Sequence, residues 1–169
     1  MTSRPRRTRP VLLLLAVPAA AIVALTGFSA GAAQASPDEA APAAPSEAEV
    51  LAQFDAWNAS LATGDPEQVN AHYAEDAVLL PTVSPGVHDT PEERLGYFDS
   101  FLDNQPSGVI TESVVRDLGD GNASLSGLYT FTMGASGDIV PARFTFVYAQ
   151  IDGEWKIVEH HSSKEPAAG

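Results

Sequence analysis

Cysteine is absent from the 169 residues. This excludes disulfides, a lipid-bearing cysteine, thiolate catalysis and cysteine metal ligands, so stability must come from a packed core alone. Cationic side chains are scarce as well, with nine Lys and Arg against 22 Asp and Glu. Four of the nine fall within the first ten residues, MTSRPRRTRP, which hold no acid. No dinucleotide-binding glycine fingerprint, flavin site or nucleophile elbow occurs, and no Ser-His-Asp order that would suggest covalent catalysis. The four histidines include no His-x-His spacing, so no metal site is expected, and no cofactor.

What is present at the N-terminus is a basic segment, an apolar run from Val11 to Phe28 broken by Pro18, and Ala33-Gln34-Ala35. A charged region, an apolar region and a small-residue A-x-A site in that order predict a secretory signal peptide over residues 1–35, cleaved near Ala35-Ser36. The apolar run is near the shortest length that spans a bilayer, but Pro18 and the cleavage pattern argue against a retained anchor. Arg6-Arg7 leaves the Sec and twin-arginine routes both open. The expected location is secreted or extracytoplasmic, with no membrane attachment after cleavage.

The chain beyond Ala35 keeps all 22 acids and only Arg94, Arg116, Arg143, Lys156 and Lys164, a formal charge of −17. Nucleic acids and anionic membranes are recognised by neutralising phosphates with Lys and Arg, so neither is an expected partner.

Residues 36–45, SPDEAAPAAP, are rich in Pro and Ala without an apolar period and predict a disordered leader. Ser46-x-x-Glu49 is a capping box, followed by Val50, Leu51, Phe54, Trp57 and Leu61 at helical spacing. Gly64-Asp65-Pro66 ends that helix and starts a short second one, with Val69 and Tyr73 as its apolar residues. Ala77 to Leu80 reads as a strand. Thr90-Pro91 opens a third helix with Leu95, Phe98, Phe101 and Leu102 as its apolar face. From Gly108 the period becomes two, predicting strands over 109–118, 123–133, 139–151 and 154–162, the last two joined by an Asp152-Gly153 hairpin. Helices followed by antiparallel strands predict one α+β domain over 46–166 with a tail at 167–169.

The hairpin Ile151-Asp152-Gly153-Glu154-Trp155-Lys156-Ile157-Val158, running into His160-His161-Ser162-Ser163, resembles the last strands of NTF2-like (SnoaL-like) domains. Within them it is most similar to the association, or hub, domain of calcium/calmodulin-dependent protein kinase II and its bacterial stand-alone relatives. Thr63-Gly64-Asp65, Tyr97-Phe98, Leu118-Gly119-Asp120 and Val140 to Thr145 add to the resemblance, which covers roughly Val50 to Pro166. It implies a cone, with helices packed on a curved, mostly antiparallel sheet, and self-assembly into dimers or larger rings. It implies no kinase activity, because no H-R-D, D-F-G or kinase glycine loop is present. Family pocket arginines that hold carboxylates correspond here to Tyr129, Phe146 and Ser162, with Arg94 near a further polar position, so a carboxylate-binding role is weakened.

Candidate site residues follow from chemistry. His160 and His161 alternate across a strand, so at most one enters a pocket. His161 matches a histidine common at this point of the family, while His160 shares parity with Ser162. Arg143 is the lone charge in an apolar strand, either an anion or carbonyl clamp at the cone mouth or one half of an ion pair. Asp76 is a candidate general base if it is desolvated, although Tyr-x-x-Asp-Ala at a helix-to-strand junction also occurs without catalysis. Trp57, Tyr73, Arg94, Tyr97, Tyr129, Arg143, Phe146, His160 and Ser162 are the candidate pocket. The leading expectation is an exported oligomeric domain binding an unknown small molecule. The alternative is a SnoaL-like cyclase or isomerase acting on a small hydrophobic carbonyl compound, with Asp76, His160 or His161 as base and Tyr129 as oxyanion donor. A carboxylate facing the pocket within reach of a tyrosine would favour the enzyme, and an aromatic pocket without one would favour binding.

Overall fold

Ser46 starts the first helix of the computed structural model, which describes residues 44–167; the predicted signal peptide, most of the leader and the last two residues lie outside them. The Ser46 hydroxyl accepts from the Glu49 N–H at 3.3 Å and the Glu49 carboxylate accepts from the Ser46 N–H at 2.8 Å. Two free helix-end donors are thereby satisfied. Helix α1 (Glu47–Leu61) buries Val50, Phe54, Trp57 and Leu61 on one face. Asp65 caps the short α2 (Pro66–Asn70), and strand β1 (Tyr73–Leu80) follows. Thr90 caps α3 (Pro91–Leu102), whose buried stripe is Arg94, Phe98, Phe101 and Leu102.

Four long strands complete the domain: β2 (Pro106–Gly119), β3 (Asn122–Met133), β4 (Ile139–Ile151) and β5 (Glu154–Lys164). They form one sheet in the order β1-β5-β4-β3-β2, antiparallel except where β1 lies parallel to β5. The Asp152-Gly153 turn has φ of 53° and 82°, the paired positive values of a tight hairpin whose twist matches its strands. The helices cover one face of the sheet, and the core lies between them, built largely of aromatic rings.

One expectation is corrected. Tyr73 does not belong to α2; it is the first residue of β1, which begins four residues before the predicted strand. The reason is tertiary: Tyr73 pairs with Ile157 of β5, a partner that local periodicity does not reveal. The outer sheet face mixes polar with apolar side chains, Leu128 and Val147 among the latter. Its central positions include Ser124, Ser126, Thr130, Arg143 and Thr145, with the Ser126 and Thr145 hydroxyls 3.2 Å apart.

Gly127 marks a close approach of β2. A Cβ there would sit 1.9 Å from the Glu112 carbonyl oxygen, beside the irregularity between Ile110 and Glu112 that lets β2 bend. Only glycine allows the strands to meet at that point.

Candidate functional site

Strand alternation decides which C-terminal polar residues reach the interior. On β5, His160 and Ser162 are buried and His161 is exposed. On β4, Ala142, Phe144, Phe146 and Tyr148 face inward, and Arg143 is exposed on the opposite face. Arg143 therefore clamps nothing in the interior, and it makes no ion pair among the described residues. The alternating parity was legible in the sequence; which of its two faces met the helices was not.

His160 sits in an aromatic cage. It pairs in register with Phe146, whose ring stacks on the imidazole at 3.9 Å between centroids, and Trp57 of α1 meets it edge-on at 5.3 Å. Its Nδ1 is 2.8 Å from the Tyr73 hydroxyl, while Nε2 is buried without a partner. Burial disfavours the imidazolium, and the neighbouring His161 adds to this, so the His160 pKa is pushed down to about 3. The ring is neutral at ordinary pH.

Ser162, two residues on, is the second polar centre. Tyr129 of β3 donates to its Oγ at 2.5 Å, and the Thr82 hydroxyl forms a short hydrogen bond with the same atom. Burial raises the Tyr129 pKa, a rise that its bond to Ser162 only partly opposes, and burial raises that of Tyr97 too. Both phenols stay protonated and can serve as donors.

Around these groups lies a narrow, partly open cavity of about 30 Å³. That is room for a water or two, far below the few hundred Å³ typical of larger ligands. Its walls bring together Trp57, Tyr97, Tyr129, His160 and Ser162 from the sequence-predicted set, with Thr82, Phe101 and Phe131 among residues that sequence reasoning missed. A wider surface groove of about 570 Å³ between the 83–88 segment and α3 shares Val83, Tyr97 and Phe101 with it. No Asp, Glu, Lys or Arg lines the narrow cavity.

The remaining candidates stand elsewhere. Tyr73 is behind the wall, holding His160, and Phe146 lies under the imidazole. Arg94 is buried, but its guanidinium is consumed by structure: it donates to Asn70 Oδ1 and to the carbonyls of Ala77, Ala74 and Glu75. The only hint of this in the sequence was its spacing with Phe98, Phe101 and Leu102 on the buried stripe of α3. Asp76 is exposed and lines a separate surface groove with Glu75 and Asp89. No three His, Asp or Glu side chains gather as a metal site among the described residues.

A mostly antiparallel sheet wrapped on three helices, with a narrow aromatic cavity between them, is the architecture of an NTF2-like protein. Residues 46–166 match the model of the calcium/calmodulin dependent protein kinase II association domain, and the chain belongs to that family. A crystal structure from Xanthomonas campestris, assigned as such an association domain, is 48% identical with a TM-score of 0.71 and covers 76% of this chain and 94% of its own. An NTF2-like protein of unknown function from Pseudomonas putida shares the fold at 17% identity and a TM-score of 0.61, covering 69% of this chain and 84% of its own. A Streptomyces avermitilis protein of the NTF2-like family, assigned as a dehydratase, does so at 18% identity and 0.58, covering 70% and 94%. No curated protein matches the chain.

Proposed function

We propose that this chain is an exported, self-associating NTF2-like domain whose cavity binds a small molecule without transforming it. The observation that carries the binding reading is the lining of the cavity: aromatic walls, hydroxyls and a neutral imidazole, with no carboxylate among them. Proton abstraction needs a base poised near the working pH, and His160 is a weak one with its pKa at about 3. Asp76 and His161, the other candidate bases, stand outside the cavity. Self-association is supported by membership of an association-domain family, and export by the basic, apolar and A-x-A order of the first 35 residues.

A second reading keeps some support. Tyr129 and His160 would be the proton donor and base of a cyclase or isomerase acting on a small hydrophobic carbonyl compound, and a fold relative is assigned as a dehydratase. The missing carboxylate ranks it second.

Native mass spectrometry of the protein recovered from culture medium tests the leading reading. The expected result is a chain shortened to begin near Ser36, a dimer or larger ring, and a retained small molecule. An intact chain held in the cells would refute export. An empty monomer would refute assembly and binding together, and would direct effort to enzyme assays with Asp76, His160 and His161 variants.

A further inference from the structure

We propose that the free edge of strand β2 pairs antiparallel with the same edge of a second copy, about a two-fold axis through Val114. The proposal rests on the reading of the chain as self-associating and names the surface through which copies join.

Strand β2 ends the sheet and is hydrogen-bonded to β3 on one side only. At its start the other side is already closed. The Asn58 side chain of α1 donates to the Gly108 carbonyl at 2.9 Å and accepts from the Gly108 N–H at 2.8 Å, as a neighbouring strand would. Past the irregularity between Ile110 and Glu112 this cover stops. From Glu112 to Asp117 the strand runs in unbroken register with β3. Among the described residues, the backbone of 113–116 makes no hydrogen bond outside that ladder. A bare edge of this kind is a template for another strand, and proteins that avoid such pairing blunt the edge with lysine or proline. Residues 112–117, ESVVRD, hold neither. The strand also carries Val109, Val114 and Leu118, which are 63%, 50% and 53% exposed.

The identity of the partner follows from the charges. Residues directly opposite in an antiparallel pair share one face of the sheet, so a two-fold axis between identical edges must pass through a residue. An axis through Glu112 or Arg116 sets like charges against each other. An axis through Ser113 puts Glu112 opposite Val114, and one through Val115 puts Val114 opposite Arg116. With the axis through Val114, Glu112 of each copy faces Arg116 of the other, and the two Val114 side chains meet between these pairs. All three residues are exposed on the same face, while Ser113 and Val115 are half-buried on the opposite one. Within the chain, neither Glu112 nor Arg116 makes an ion pair among the described residues. Opposite charges directly across two strands stabilise their pairing and like charges oppose it, so this one register is selected.

The absence of cysteine makes the test direct, because one introduced thiol reports one contact. Directly opposed residues lie roughly 4.5–5.5 Å apart between Cα atoms, within disulfide range, whereas residues four places out of register are about 13 Å apart. The full chain, purified as its host processes it, is exposed to a mild oxidant. Val114→Cys is expected to form a covalent dimer roughly tenfold faster than Glu112→Cys or Arg116→Cys alone. An equimolar mixture of those last two variants is expected to cross-link as Val114→Cys does. In sedimentation experiments Arg116→Glu should weaken the association about tenfold, by turning two attractive pairs repulsive. Combining it with Glu112→Arg should restore the association, and circular dichroism checks that each variant is folded. If the parent chain associates, but Val114→Cys cross-links no faster than Glu112→Cys, the β2 edge is overturned and self-association stands through another surface. A parent chain that stays monomeric at every concentration overturns both.

Discussion

Tyr73 and His160 lie 87 residues apart, yet the Tyr73 hydroxyl meets His160 Nδ1 at 2.8 Å inside the core. The contact exists because β1 lies parallel to β5, which brings the beginning of the first strand against the last. It converts a histidine at a strand end into a neutral, oriented group.

The first prediction concerns acid. The folded His160 pKa of about 3 lies below the ordinary value of 6.5, so the unfolded chain binds the extra proton first as pH falls. The stability tied to keeping this ring neutral is fully present above pH 6.5 and is lost as pH drops from there towards 3. Within that window this one group raises the unfolding constant by roughly tenfold per pH unit. Urea melts between pH 7 and 4 should show the slope, and His160→Phe should flatten it.

Arg94 carries a structural prediction. Its guanidinium joins α3 to Asn70 and to three carbonyls of β1. Arg94→Met should destabilise by roughly 3 kcal/mol or more, because the carbonyls lose charged donors and are left buried. Arg94→Lys should restore little, since a single ammonium cannot reproduce a planar fork. Thermal melts of both variants check this, and a Lys variant as stable as wild type would show that the fork is dispensable.

At the β2–β3 pair the prediction is steric. Gly127→Ala places a methyl group 1.9 Å from the Glu112 carbonyl, a backbone atom that cannot swing aside. A loss of about 1–3 kcal/mol is expected from the strand shift that relieves it. Denaturant titration measures the loss, and a neutral result would mean that β2 already moves freely there.

Assembly gives the fourth prediction. Thr145 lies near the middle of the outer sheet face, half-buried in the single chain and paired in register with Ser126 and His161. If copies associate through this face, Thr145→Arg should shift light-scattering mass towards the monomer without changing the circular dichroism spectrum. Unchanged mass would move the interface to another surface.

Much of this molecule is written in short stretches of its sequence. The capping box at Ser46 and Glu49, Pro91 after Thr90, the Asp152-Gly153 turn and the period-two strands are local devices. Each acts through neighbours a few residues away, so each could be read without knowing the fold. The resemblance around Trp155 and His161 also led to the family. The site was less legible. Trp57, Tyr97, Tyr129, His160 and Ser162 were anticipated and do meet, but Arg143, Arg94 and Asp76 look equally suitable as residues and stand elsewhere.

The sequence by itself determined where the helices begin, the acidic balance and the alternation that separates His160 from His161. Only the tertiary structure decided which face of that alternation is inside. It also decided that Arg94 is spent on backbone carbonyls and that Tyr73 reaches His160. The physical reason is range: caps, turns and periodicity are set by neighbours in the chain, whereas burial and hydrogen-bond partners depend on which distant strand lies alongside.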